Sequence, residues 1–150
     1  MASISEEIKQ KKFGSEYNKL MVNVLFTSSW LNALQSVVFK DHKLTAQQFN
    51  SLRILRGQYP EAASVNLLKD RMIDKMSNVS RIVDKLKVKD LVTREPCEHD
   101  RRQVDVKITE QGLNVLEEID VELVKWEQNL HAISIEEAKM LNVLLDKWRG

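Results

Sequence analysis

The spacing of apolar residues changes abruptly near residue 90, and few folds accommodate such a change. Before that point, apolar residues recur at intervals of three and four, at Val79, Ile82, Val83 and Leu86. This spacing places them on one face of an amphipathic helix, which we expect to run from Lys75 to about Lys89. Asp74 directly precedes it and belongs to a residue type favoured at helix N-caps.

After that point, apolar and polar residues alternate over 91–94 and again over 103–108, and this period of two predicts two strands. The polar segment 96–102 between them is expected to form the tip of a hairpin. A polar-faced helix followed by an arginine-tipped hairpin is the arrangement of a winged helix-turn-helix. The sequence therefore predicts a DNA-binding regulator, mainly α-helical with a small β-hairpin wing.

Polar side chains on the outer face of the predicted recognition helix suit a DNA major groove. The candidate DNA-binding residues there are Lys75, Ser77, Asn78, Ser80, Arg81 and Lys85. Asn pairs well with adenine and Arg with guanine, whereas lysines contact phosphate and add affinity with little sequence choice. The alternative is a helix face that is only solvated.

The predicted wing tip carries three further candidates, Asp100, Arg101 and Arg102. We expect Arg102 to enter the minor groove, oriented by a charge-assisted hydrogen bond to Asp100, while Arg101 contacts phosphate. The alternative is an ordinary surface ion pair. Cys97, the single thiol, lies beside this tip and suggests a redox-sensing regulator as another alternative, although the neighbouring acidic residues disfavour a thiolate.

Capping motifs mark the helices that precede this module. One long helix is expected over 15–40, and Thr45–Gln48 has the form of a capping box that starts a second helix, ending near Gly57. Ser64 is placed to cap a third, short helix over 65–71. Helix, short helix, turn and helix then follow in the order of a helix-turn-helix.

Two more helices follow the hairpin, one capped by Thr109 and one that begins with the capping box Ser134–Glu137. They and the first long helix carry more apolar residues than the small module can cover, which predicts a two-fold dimer interface. Three tryptophans lie on these helices, Trp30, Trp126 and Trp148. We expect them in the dimer interface or, for one of them, in an effector pocket.

The predicted organisation is thus an N-terminal dimerisation helix over 1–43, a winged helix-turn-helix DNA-binding module over 44–108, and C-terminal dimerisation helices over 109–150. The formal net charge is only +1, although 69–107 carries eleven Lys or Arg against eight Asp or Glu. This modest local excess is a weak indication of a nucleic-acid partner by itself.

Composition and motifs disfavour several other classes of protein. A single cysteine excludes an internal disulfide and agrees with a reducing cytoplasm. No secretory signal is recognisable and no apolar run approaches the ~20 residues that span a bilayer, so a cytoplasmic location without membrane contact is expected. His42, His99 and His131 lack metal-ligand spacing. Without a phosphate loop or a catalytic constellation, neither an enzyme nor a bound cofactor is expected.

Two motifs resemble the MarR family of winged-helix transcription regulators. One is the segment 77–86, SNVSRIVDKL, continuing into KDLV at 89–92; the other is the tip 100–102 followed by an apolar strand, Thr109 and Gly112. The resemblance covers about 44–112 by motif and nearly the whole chain by helix order. Asp90 stands where the family usually has Gly, and Ile108 replaces the usual Leu. Because glycine at this position adopts the left-handed backbone conformation, we expect Asp90 to adopt it too, with a small strain.

The resemblance implies a homodimer shaped like a broad triangle, bound to a pseudo-palindromic operator in double-stranded DNA. Its recognition helices would enter successive major grooves one DNA turn apart, ~34–36 Å, and its wings the minor grooves. Family members are commonly repressors released by small phenolic or other lipophilic ligands, or by thiol oxidation. A winged-helix module that binds protein without binding DNA remains the rival function.

Overall fold

The computed structural model describes residues 2–96, 104–130 and 132–150. The helices are α1 (Ile4–Glu7), α2 (Glu16–Asp41), α3 (Ala46–Arg56), α4 (Val65–Arg71), α5 (Val79–Val88), α6 (Glu110–Glu127) and α7 (Ile135–Arg149), with a 3-10 turn at Gln128–Leu130. The strands are β1 (Ala63–Ser64), β2 (Val92–Pro96) and β3 (Val104–Ile108). The predicted class, mainly helical with a small wing, is confirmed.

Five helices begin with a hydroxyl side-chain cap, four of them at the N-cap that the sequence predicts, and α2 begins close to its predicted start. The hydroxyl oxygens of these caps accept a hydrogen bond from the backbone N–H three residues later, at 3.0 to 3.2 Å, in Ser15, Thr45, Ser64, Thr109 and Ser134. Both predicted capping boxes are complete, because Gln48 and Glu137 accept from the backbone N–H of their cap residues. Each box satisfies two N–H groups that a helix start leaves free.

The recognition helix α5 begins later than predicted, at Val79 and not at Lys75. Asn78 is its N-cap, and the Asn78 Oδ1 accepts the backbone N–H of Arg81 at 3.1 Å. Asp74 caps only a turn, since its Oδ1 accepts the N–H of Met76 at 3.0 Å. The physical reason lies in the apolar stripe: Val79 is its first buried member, so a turn of helix before it would bury nothing.

The sheet contains a strand that the sequence analysis missed. The strand order is β1-β3-β2, all antiparallel, with Ala63 opposite Val106. In the wing, Val92 lies opposite Ile108 and Pro96 opposite Val104. A strand of two residues is too short to show a period of two, so the alternation of apolar and polar residues does not predict β1.

A single core fills the space between the helix-turn-helix, the sheet and the first half of α6. Its fully buried side chains include Phe39, Leu52, Leu55, Leu68, Met72, Val83, Leu86, Val106, Leu116 and Ile119. The long helix α2 joins this core only near its C-terminal end, where the rings of Phe39 and Phe49 stack with centroids 4.6 Å apart. The helix-turn-helix, the sheet and the first half of α6, which we call the winged lobe, therefore enclose a hydrophobic core of their own.

Gly112 marks the closest packing between α6 and the wing. A Cβ atom there would lie 2.4 Å from the backbone oxygen of Leu91 and 2.7 Å from a side-chain carbon of Ile108. No other residue type fits without a shift of backbone. This is the physical reason for glycine at the end of the wing motif, and it sets how closely α6 approaches the turn at Asp90. Asp90 itself is left-handed, with φ +57°, as expected.

The helices at the two chain ends leave most of their apolar side chains exposed. On α2 and α7 these include Tyr17, Leu25, Trp30, Val37, Met140, Leu144 and Trp148. α7 has no buried residue, and its Leu141 and Trp148 are 48% and 43% exposed. The sequence places this helix in a dimer interface, which one chain alone does not test, so that expectation stays a prediction. Across the described residues, no helix combines the length and apolarity that crossing a membrane requires.

Candidate nucleic-acid interface

The outer side of α5 presents polar side chains to solvent, while its apolar stripe is buried. Ser80, Arg81 and Lys85 are exposed. At 100° per residue they share one side of the helix. The structure thus brings three of the six predicted major-groove residues together on a single accessible face.

The other three predicted residues lie before the helix, and their side chains are engaged differently. Asn78 is exposed, but its Oδ1 caps the helix, so its Nδ2 is the group left to donate to a base. The two-point pairing with adenine that the sequence suggested would require giving up the cap. The Ser77 Oγ is buried, so the predicted contact between this hydroxyl and DNA is not supported by the geometry.

The turn that connects α4 to α5 is fastened by hydrogen bonds. Lys75 Nζ donates to the backbone oxygen of Asp70 at 2.5 Å, and the backbone N–H of Ile73 donates to Asn50 Oδ1 at 2.9 Å. The hydrogen bond from the backbone N–H of Met76 lowers the pKa of the Asp74 carboxyl below its ordinary value. The turn therefore holds the start of α5 in one position relative to α3 and α4.

An ion pair that the sequence did not reveal ties the wing to the recognition helix. Arg94 on β2 donates to Asp84 Oδ1 on α5 at 2.5 Å. Neither helical nor strand periodicity relates a residue on a helix to one on the following strand, so no pattern could have found this pair. The tip beyond it, with Asp100, Arg101, Arg102 and the thiol of Cys97, lies outside the described residues.

A cavity of about 620 Å³ opens between the long helix α2 and the helix-turn-helix. It is lined by Ser28, Asn32, Gln35 and Phe39 of α2, by Ala46, Gln47, Phe49, Asn50 and Arg53 of α3, and by the turn residues Met72, Ile73 and Asp74. Aromatic and amide side chains together suit a small organic molecule. The three tryptophans do not line this cavity, and the expectation that one of them lines an effector pocket stays a prediction.

The elbow between α2 and α3 is held against α6 by a histidine. His42 Nε2 lies 3.0 Å from Glu122 Oε1, and His42 Nδ1 lies 3.6 Å from Glu118 Oε2. A second pair, Arg56 to Asp120 at 2.6 Å, joins α3 to the same helix. Together they fix the orientation of the winged lobe on α6. Over the part of the chain that the structure describes, no group of three metal-ligating side chains is suited to hold an ion.

Comparison with known proteins places this geometry in a family. Residues 44–104 match the model of the MarR family. The HTH-type transcriptional regulator PecS of Dickeya dadantii (strain 3937) is 30% identical over 112 residues, which cover 73% of this chain and 68% of that protein. The family-model match over 44–104 includes the helix-turn-helix and ends within the wing, so it contains the first sequence motif and the start of the second.

Solved structures agree in fold over nearly the whole chain. A mutant MarR from E. coli complexed with operator DNA superposes with a TM-score of 0.79 and 25% identity, over 91% of this chain and 98% of that one. BpsR of Bordetella bronchiseptica, whose DNA binding is regulated by 6-hydroxynicotinic acid, gives a TM-score of 0.72 and 27% identity, over 85% and 92%. The chain is a transcription regulator and not an enzyme, and it belongs to the MarR family.

Proposed function

We propose that this regulator binds a pseudo-palindromic operator as a homodimer, represses transcription from it, and is released by a small organic ligand. The observation that carries the proposal is the exposed face of α5, where Ser80, Arg81 and Lys85 stand opposite a fully packed apolar stripe. A helix so packed is a rigid support for side chains that read base edges. A module that binds protein alone would have no use for this set of donors.

Arg81 is the residue that we assign to base reading. Its side chain is exposed, it occupies the first turn of α5, and its guanidinium matches the two acceptors of guanine in the major groove. We assign Lys85, one turn later, to phosphate. Arg102 remains our proposed minor-groove residue, because the ion pair from Arg94 to Asp84 fixes the strand that leads to the wing tip.

The homodimer is supported by the apolar surface of α2 and α7. Leu25 and Leu144 are 64% and 54% exposed, in helices whose spacing of apolar residues is that of a buried face. Exposed apolar faces of this extent mark protein interfaces. Two-fold pairing of these helices would place two copies of α5 on one side of the dimer.

Ligand release is supported by the position of the cavity next to α5. The turn residues Met72 and Asp74 line the cavity, and the same turn ends at Asn78, the cap of the recognition helix. A molecule that displaces this turn would move the start of α5. The lining combines stacked aromatic rings with amides and Arg53, which suits a flat aromatic ligand with polar or acidic substituents.

A mobility-shift titration with the DNA that flanks its own gene tests the proposal. We expect sequence-selective binding that weakens with salt, and an increase in expression of the flanking gene when the regulator is deleted. Arg81→Ala should lower the preference for the selected site by a factor that corresponds to about 1–3 kcal/mol. The absence of salt-sensitive, sequence-selective DNA binding would instead favour a protein-binding module.

A further inference from the structure

A strongly basic groove lies beside the recognition face, between the loop 42–45 and the exposed side of α5. Its volume is about 590 Å³, and its charged lining consists of Lys43, Arg81, Asp84, Lys85 and Lys89. Asp84 is already paired with Arg94 at 2.5 Å. Four cationic side chains therefore line the groove, and its one carboxylate already forms an ion pair with Arg94.

Lys89, the C-cap residue of the recognition helix, holds the loop that carries Lys43 in place. Lys89 Nζ donates to the backbone oxygen of Lys43, and to Gln48 Oε1 at 3.1 Å. Burial, and then the charges of Lys85 and Lys43, lower the pKa of Lys89. The three lysines thus concentrate positive charge along one side of the groove. Over the described residues, Lys43 and Lys85 form no ion pair.

The groove is continuous with the proposed base-reading surface. Arg81 and Lys85 line both the groove and a second recess of about 400 Å³ that extends to Asn78. Thr45 and Gln48 of the α3 N-terminus also line both. A duplex seated on Arg81 would therefore run directly past Lys85 and the loop. An extended polyanion matches this open, elongated surface better than a small free anion, which it would not enclose.

We propose that Lys43, together with Lys85, binds a phosphate of the DNA backbone, so that the loop between α2 and α3 is a second DNA contact outside the helix-turn-helix. Lys89 is a positioning residue that holds the loop. The contact reads no base, so it adds affinity and fixes register without adding sequence choice. The inference rests on the proposed DNA-binding function and extends it to Lys43, which lies outside both the recognition helix and the wing.

The test measures the salt dependence of binding to two short duplexes, one selected from a random pool by the wild-type protein and one of unrelated sequence. For Lys43→Gln we expect the slope of log affinity against log salt to fall by about one unit for each half-site bound. Between 50 and 200 mM salt, the variant then loses about 3.5-fold less affinity per half-site than the wild type. Both duplexes should be affected equally.

Matched variants separate this contact from folding and from base reading. Lys43→Arg keeps the charge and should restore the slope, whereas Lys12→Gln removes a distant exposed charge and should leave it unchanged. If Arg81→Ala alters sequence preference but Lys43→Gln leaves the slope unchanged, the groove proposal is overturned and the DNA-binding function stands. If neither variant alters binding, both fail together.

A free anion is the other possible occupant, and inorganic phosphate is its probe. At constant ionic strength, phosphate should compete with neither duplex if the groove holds the DNA backbone alone. Displacement of DNA by millimolar phosphate that is lost in Lys43→Gln, together with an unchanged salt slope, would identify a free-anion site and overturn the proposal.

Discussion

The winged lobe and the terminal helices bury their apolar residues to very different extents. In the lobe, residues such as Leu52 and Leu116 are completely buried, and the helix starts are capped by specific hydrogen bonds. In α7 no residue is buried, and most of α2 leaves its apolar side chains in solvent. The same amphipathic pattern thus gives a buried hydrophobic core in the lobe and an exposed apolar surface on α2 and α7.

In the proposed homodimer, this difference separates what one chain stabilises alone from what the second chain would complete. The lobe has enough core to orient α5 without help, whereas α2 and α7 gain most of their stability only when their apolar faces are covered. We therefore expect substitutions in the two regions to respond differently to protein concentration.

Truncation of a core residue of the lobe should have the largest effect. Leu52→Ala removes a fully buried side chain and should lower the free energy of unfolding by about 3 kcal/mol, independently of protein concentration. Leu25→Ala makes the same truncation where the side chain is 64% exposed, and its effect should grow as the protein is diluted. Denaturant titrations at two concentrations compare them; identical behaviour would remove the distinction between the regions.

Gly112→Ala should destabilise the lobe by roughly 2–3 kcal/mol, because the added methyl group overlaps the backbone of Leu91. Gly57→Ala is the matched control, since its nearest contact would be an ordinary 3.4 Å. Thermal unfolding of the two variants measures the difference. Equal stability of both would mean that α6 can withdraw from the wing at no cost.

Introduction of a charge into α7 should affect assembly more than folding. Leu144→Lys places an ammonium group on the proposed dimer face and should shift the protein towards monomers, which sedimentation or light scattering detects. Operator affinity should fall with it, because each half-site would then bind one lobe alone. Asn142→Lys adds the same charge to the same helix; if both variants remain dimeric, α7 is outside the interface.

Loss of the α5 cap should cost less, about 1 kcal/mol for Asn78→Ala. Asn78→Asp keeps a capping oxygen and should retain stability, while its negative charge should weaken DNA binding. Chemical denaturation and operator affinity, measured on both variants, separate the two roles. Normal DNA affinity in Asn78→Asp would show that this side chain lies away from the duplex.

The smallest effect is expected at Asp90, whose φ is +57°. Asp90→Gly should raise the free energy of unfolding by up to about 1 kcal/mol, because glycine adopts this conformation without strain. Asp90→Ala should lower it. Both are read from the same unfolding curves, and a loss of stability in the glycine variant would mean that Asp90 makes a compensating contact.

Local chemistry made most of the fold predictable from sequence. Hydroxyl caps such as Thr45 and Ser134 and the period change near residue 90 act within a few residues, so each leaves a readable pattern. Gly112, which packs against the distant backbone of Leu91, is recognisable only from the family motif. The start of α5 was misplaced because Asp74 and Asn78 are both good caps, and only the burial of Val79 decides between them.

The candidate site was less predictable, because it depends on contacts between distant segments. Arg94 with Asp84, and Lys89 with the backbone of Lys43, join residues on different elements that no period relates. The buried hydroxyl of Ser77 and the strand β1 are likewise decided by what packs beside them. Residue types identified the exposed face of α5, but only the fold shows which of its side chains are free to contact DNA and which are held by other residues.

His42 and Lys43 are neighbours in the chain, but the first contacts α6 and the second lines the basic groove beside α5. The His42 ring is held by Glu118 and Glu122 of α6, while the next residue, Lys43, lines the basic groove. We therefore expect a shift of α6 against the lobe to move Lys43 as well. A genetic screen for regulators with weakened operator binding should therefore recover substitutions at these two glutamates, although neither faces the groove.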